Sequence, residues 1–113
     1  MISYKNRFHG RNSLRFVYTN GKTYRSTALA LRIVDNARTV NYRCAVVVSK
    51  KISKSAVKRN RMRRRLYEII RKNEKHIAAH TDIIVTVYTD QVATMSASEL
   101  EETVLKLLQQ YQK

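Results

Sequence analysis

Residues 50–75 read KKISKSAVKRNRMRRRLYEIIRKNEK, and two patterns are superimposed in them. Met62, Leu66, Ile69 and Ile70 fall at i, i+4, i+7 and i+8, one apolar stripe of a 3.6-residue period. Ser53 or Ser55 can cap the start, and no glycine or proline interrupts the run before Asn73, so the spacing predicts a helix from about Ser55 to Lys72. On the other sides of the stripe stands charge. Twelve Lys and Arg face only Glu68 and Glu74, a net of +10 out of +15 for the whole chain. A disordered basic tail would have no such stripe, since a segment too polar to bury apolar surface cannot offset its ordering entropy. Like charges at this density repel one another, and a polyanion relieves the repulsion by releasing condensed counterions. The helix therefore reads as half buried and as a nucleic-acid-binding element. The plainer alternative is a solvated charged face.

Working outward, residues 1–49 carry nine basic groups against Asp35 alone, while residues 76–113 carry a net of −3. The cationic surface belongs to the first two thirds of the chain, and the last third reads as scaffold. At 113 residues with 43% hydrophobic side chains, a single folded domain over 1–113 is expected. Cys44 is the lone cysteine, set in CAVVV, which excludes an internal disulfide and fits a buried apolar role in a reducing, cytoplasmic setting. No apolar run approaches the roughly 20 residues that span a bilayer, and no signal-peptide pattern opens the chain, so no membrane partner is expected. Two glycines and no proline exclude glycine-rich phosphate loops.

Residues 11–18, RNSLRFVY, fit a short amphipathic helix, followed by a turn at Asn20-Gly21. Residues 22–34 read as one strand, with Leu29, Leu31 and Ile33 alternating against Ala30 and Arg32. Residues 42–49 read as a second strand, apolar throughout its centre and so placed in the sheet interior, forming an antiparallel hairpin with the first. Residues 82–89, DIIVTVYT, give a third strand. Ser96 or Ser98 caps a last helix whose buried face is Leu100, Val104, Leu107, Leu108 and Tyr111. The expected fold is a two-layer α/β (α+β) sandwich in αββαβα order, with a small mixed sheet and the basic helix in a parallel β-α-β crossover.

The run VVVSKKISKSAVKRNRMRRRL, residues 46–66, resembles the signature of the bacterial ribonuclease P protein family. The match is Ser49, Lys50 and Lys51 at a strand end, a short connection, then Ala56, Val57, Arg59, Asn60, Arg61, Arg63 and Arg64. The first helix with Gly21 after it, the strand DIIVTVY and the closing helix extend the resemblance over most of the chain. The sequence departs from the family pattern where Ser53-Lys54-Ser55 replaces a common glycine, where Tyr67 replaces a common arginine, and where Leu14 replaces a common phenylalanine, leaving Tyr18 as the better aromatic match. The resemblance implies a left-handed crossover, where general rules favour the right-handed one.

It also implies a protein that binds the catalytic RNA and the 5′ leader of precursor tRNA, assisting 5′ maturation while the RNA subunit, with bound magnesium, performs cleavage. The protein itself would bind no cofactor and would not cleave alone. That agrees with the eight acids of the chain, too few and too scattered to hold two metals ~4 Å apart. The RNA-binding candidates are Lys50, Lys51, Lys54, Lys58, Arg59, Asn60, Arg61, Arg63, Arg64 and Arg65, the arginines by forked donation to phosphate. Phe8, Phe16 and Tyr18, interleaved with Arg11 and Arg15, are candidates for the leader cleft, by stacking on unpaired bases. For the aromatics, packing of the first helix onto the sheet is the alternative. His76 and His80 have the i, i+4 spacing of some zinc ligands but lack a third one nearby, and read as polar residues at a helix end. A ribosomal or other structural RNA-binding protein is the second functional reading. A DNA-binding regulator lacks a dimerisation seam here, and a monomer is expected.

Overall fold

The computed structural model describes residues 3–8 and 11–112, the side chain of Arg11 apart. The chain runs through α1 (Arg11–Asn20), β1 (Lys22–Arg25), β2 (Leu29–Asp35), β3 (Arg43–Val47), α2 (Ala56–Lys72), β4 (Thr81–Val87) and α3 (Ala97–Gln112), with short 3₁₀ turns at Tyr4–Asn6, Glu74–His76 and Asp90–Ala93. The order is αβββαβα, not αββαβα. Residues 22–34 are not one strand, because Ser26 turns the chain. Its backbone N–H donates to the Leu29 carbonyl at 2.9 Å, and its hydroxyl accepts from the N–H groups of Ala28 and Leu29. A serine hydroxyl that replaces a backbone acceptor in this way makes a turn without glycine or proline.

The four strands form one mixed sheet in the order β1-β2-β4-β3. β1 and β2 pair antiparallel, as do β2 and β4, whereas β3 and β4 are parallel with α2 as the crossover between them. The expected hairpin between residues 22–34 and 42–49 is therefore replaced by one within residues 22–35. β4, not β3, is interior: nearly every one of its residues is buried, while β3 alternates and leaves Val47 exposed at the sheet edge. The free edge of β3 is covered chemically. Tyr67 on α2 accepts the Val46 N–H at 3.1 Å, and the Asn6 amide donates to the Tyr42 carbonyl at 2.8 Å. An unpaired strand edge is an aggregation hazard, and these side chains close part of it.

Alternation sorts the sheet into two faces. Leu29, Leu31 and Ile33 line up with Val87, Val85 and Ile83, and Cys44 and Val46 continue the row; this face meets Met62, Leu66, Ile69 and Ile70 of α2 and Leu100, Val104, Leu107 and Leu108 of α3 in one apolar cluster. The stripe expected on the basic helix is the buried one. Burial pushes the Cys44 thiol up to about 12, so it behaves as a small hydrophobe. The opposite face carries Ala30, Arg32, Ile84, Asp82, Arg43, Ala45 and Val47, and the ten-residue α1 packs across β2 and β4 there. No helix among the described residues is long and apolar enough to cross a membrane.

Candidate nucleic-acid interface

Ser55 starts α2 by accepting the Lys58 N–H at 3.2 Å, and Asn73 ends it. The basic candidates then separate by what their heads touch. Arg59 donates to the Ser53 carbonyl at 2.9 Å, holding the loop before the helix. Arg65 donates to the Val92 carbonyl at 2.7 Å and to the Met95 carbonyl, fastening α2 to the 3₁₀ turn that precedes α3. Burial first, and Arg61 one turn back second, push the Arg65 guanidinium below the usual arginine range. Arg63 donates to the Asn60 side-chain oxygen at 2.8 Å. Lys58 makes an exposed pair with Asp90 at 3.5 Å, a contact worth little.

Arg61 and Arg64 are exposed and have no partner among the described residues, and Lys50, Lys51 and Lys54 lie exposed along the connection into the helix. No arginine between residues 59 and 65 is neutralised by a carboxylate among the described residues. Further along, Arg71 pairs with Glu68 at 3.0 Å, and that hydrogen bond holds the Glu68 carboxyl down to about 2. The geometry is a fixed rod with an open cationic side.

The second group of candidates divides around α1. With Val17 buried against the sheet, 100° per residue puts Leu14 and Tyr18 on one flank and Phe16 with Asn12 on the other. Tyr18 is half exposed, on the flank of Leu14, and Arg15 is exposed on the outer side. Phe8 instead packs under the Arg43 guanidinium, 4.7 Å from its ring centroid. The side chain of Arg11 lies outside the described residues. Among the four whose side chains are described, Phe16 stands apart and opens on a separate groove.

What holds α1 in place was not among the candidates. Asp82, fully buried, accepts from Arg43 Nε at 2.9 Å and Nη2 at 2.7 Å and from the Asn36 amide at 2.9 Å, while Arg43 Nη1 donates to the Ser13 hydroxyl at 3.2 Å. At the other end of α1, Arg32 donates to the Val17 and Tyr18 carbonyls at 3.1 and 2.5 Å and to the Thr23 hydroxyl at 2.7 Å; the Tyr18 carbonyl is one that a helix end leaves open, whereas that of Val17 also accepts the Gly21 N–H at 2.8 Å. The available signals were single charged residues in apolar strands: Arg32 in LALRIV, Asp82 before IIVTV, Arg43 before CAVVV. A charge in such a setting is paired or it is not tolerated.

His76 and His80 do not share a helical face, because α2 ends before them. His76 closes a 3₁₀ turn, and His80, at φ 69°, turns the chain into β4 with its ring nitrogen on the Thr39 carbonyl. Among the described residues no three His, Cys, Asp or Glu side chains are grouped to hold a metal.

The model of the family described as Ribonuclease P matches residues 2–112. The ribonuclease P protein component of Pseudanabaena sp. (strain PCC 6903) is 40% identical over 89 residues, covering 79% of this chain and 77% of that protein. That of Chloroflexus aurantiacus (strain J-10-fl) is 34% identical over 96 residues, 85% of this chain and 70% of that one. The structure is similar to the RNase P protein from Thermotoga maritima, with a TM-score of 0.79 at 23% identity over 92% of this chain and 96% of the other. It is similar too to the Staphylococcus aureus RNase P protein at 2.0 Å, with a TM-score of 0.80 at 23% identity over 92% and 93%. At those identities the structural likeness speaks for the fold.

Proposed function

The chain belongs to the ribonuclease P protein family, and from that premise we propose that it acts as the protein subunit of a ribonuclease P holoenzyme in the cytoplasm, binding the catalytic RNA and helping it mature the 5′ end of precursor tRNA. The observation that carries this reading is the set of unneutralised cations on α2 and its entry loop. Arg61, Arg64, Lys50, Lys51 and Lys54 can meet phosphates without first breaking an internal ion pair. Lys58, Asn60 and Arg63 extend this surface, and Arg59 and Arg65 keep further N–H groups beyond those on carbonyls. Each phosphate neutralised releases counterions, so the affinity should fall steeply with salt.

Ala45 and Val47 lie on the same face of the sheet as α1, and with its Leu14–Tyr18 flank they offer apolar surface on which unpaired leader nucleotides can stack. Cleavage belongs to the RNA, with magnesium supplied there. Of the eight carboxylates, Asp82 is engaged within the fold by Arg43 and Asn36, Glu68 by Arg71, and Glu74 by the Tyr42 hydroxyl at 2.8 Å, in keeping with that division of labour. What the protein adds is electrostatic: cations beside two negatively charged RNAs lower the magnesium concentration needed to hold them together.

Reconstitution tests this. Purified protein, transcribed ribonuclease P RNA and precursor tRNA are combined at low magnesium and 5′ cleavage is followed. Cleavage is expected only when protein and RNA are both present. Cleavage by the protein alone, or no gain when it is added to the RNA, would overturn the reading.

A further inference from the structure

Between Phe16 on α1 and the turn after β2 lies an open groove of about 290 Å³, lined by Asn12, Phe16, Asn36, Arg38, Thr39 and Arg43. It is on the flank of α1 opposite Leu14 and Tyr18, so it is not the apolar platform described above. Its volume is at the small end of the roughly 300–1,000 Å³ usual for small-molecule sites. One nucleotide is an appropriate occupant, and a peptide segment or a folded partner is not.

The wall of the groove is set before any ligand arrives. Asn36 is buried, donates to Asp82 through its amide and to the His80 carbonyl through its N–H at 2.6 Å, and accepts the Arg38 N–H on its side-chain oxygen at 3.1 Å. Thr39 returns to the Asn36 carbonyl through both its N–H and its hydroxyl. Arg43 is fixed by Asp82 and Ser13. The turn is thus anchored to a fully buried carboxylate, and binding there would require little ordering.

The charges are also sorted. Asp82 neutralises Arg43, whereas the exposed Arg38 guanidinium has no partner among the described residues. The groove therefore holds one uncompensated cation, one partly exposed aromatic ring and the free side-chain amide of Asn12, which can both donate and accept. A cation for phosphate, a ring for a base face and an amide for a base edge are the parts of single-stranded RNA recognition.

We propose that this groove is a second RNA site, taking one unpaired nucleotide with its phosphate on Arg38 and its base on Phe16, on the side of α1 away from the leader platform. The proposal rests on the reading of the chain as a ribonuclease P protein and adds a contact to it. RNA bound on both flanks would grip α1 like a wedge.

Arg38→Gln and Phe16→Leu are compared with unmodified protein and with Arg61→Ala, after thermal melts show that each is folded. Affinity is measured against the catalytic RNA alone and, in the reconstituted holoenzyme, against precursor tRNA with and without its leader. Arg38→Gln is expected to weaken binding to one of these RNAs and to lower the slope of log affinity against log salt by about 0.7. Phe16→Leu should weaken the same complex roughly tenfold with the slope unchanged. Loss with the catalytic RNA alone assigns the nucleotide to that RNA; loss only with leader-bearing precursor assigns it to the substrate. Binding of every RNA unaltered by both substitutions, while Arg61→Ala still weakens it, would overturn the second site and leave the α2 interface standing. Absence of RNA binding by the unmodified protein would sink both.

Discussion

Under α2 and α3 the sheet is held by a broad apolar cluster; under α1 the apolar contact narrows to Val17 over Ala30 and Ile84, and named bonds fasten the ends. On the first face Leu31, Ile33, Ile83 and Val85 meet Met62, Leu66, Ile70, Leu100 and Val104 in one apolar cluster. On the second, a ten-residue helix is fastened at one end by the Arg43–Asp82–Asn36 network and at the other by Arg32 on the carbonyls of Val17 and Tyr18. Apolar burial needs broad coverage, so that face has no room for a ligand. A few directed contacts position a helix without covering what lies beside it. Both flanks of α1 stay open for that reason, and the unused sides of α2 stay charged because its attachment needs only one stripe.

The sharpest way to break this comparison is to remove the anchor of the polar face. Asp82→Ala leaves Arg43 partly buried and uncompensated, and is expected to cost about 3–5 kcal/mol in urea unfolding. A loss below about 1 kcal/mol would show that the network is decoration. Leu66→Ala on the apolar face opens a cavity at a fully buried position and should cost about 3 kcal/mol. It differs in kind, since a small apolar residue such as valine should recover part of the loss, whereas no apolar residue at position 82 can satisfy Arg43.

Gly21→Ala probes the second fastening. A Cβ there would sit 2.7 Å from the Val17 carbonyl oxygen and 3.0 Å from Arg32 Cγ, pushing apart the helix end and its cap. About 1–2 kcal/mol is expected, with weakened binding to leader-bearing substrate because α1 shifts. The smallest effect belongs to the Glu68–Arg71 pair. The carboxyl is depressed by the hydrogen bond from Arg71, so its contribution is fully present above the unfolded-state value of about 4.3 and is lost as pH falls through about 2. The difference in melting temperature between the unmodified protein and Glu68→Gln should shrink across that window. A difference that grew on acidification would contradict the pairing.

The helices were legible in the sequence because amphipathic periodicity reports local geometry. The stripe of α2, its Ser55 cap and the buried face of α3 follow from it, with Ser96 capping α3 through the Glu99 N–H at 3.2 Å. Strand position was less legible. CAVVV is if anything more apolar than DIIVTV, yet β4 is the strand with two neighbours and β3 the edge; composition carries no information on strand order, and Tyr67 meets that edge from α2 only in the folded chain. That contact gives Tyr67 a physical role at the strand edge. The Ser26 turn was hidden because it uses a hydroxyl instead of glycine or proline.

For the site, residue type identified the basic rod but not the division within it. Arg59 and Arg65 read the same as Arg61 and Arg64 in KRNRMRRRL, and only the fold brings the carbonyls of Ser53, Val92 and Met95 to the first pair. The Arg43–Asp82 bridge joins residues 39 apart in sequence, a distance over which no local pattern carries information.

That division within the helix allows the most direct test. Affinity for ribonuclease P RNA is measured against salt for Arg61→Ala/Arg64→Ala and for Arg65→Ala, with melting temperatures alongside. The exposed double variant should lose about 1.4–1.8 units of salt slope and melt normally. The Arg65 variant should keep most of its slope and melt lower, having lost two charge-assisted hydrogen bonds. An unchanged slope in the double variant, with the loss appearing at Arg65 instead, would contradict the account.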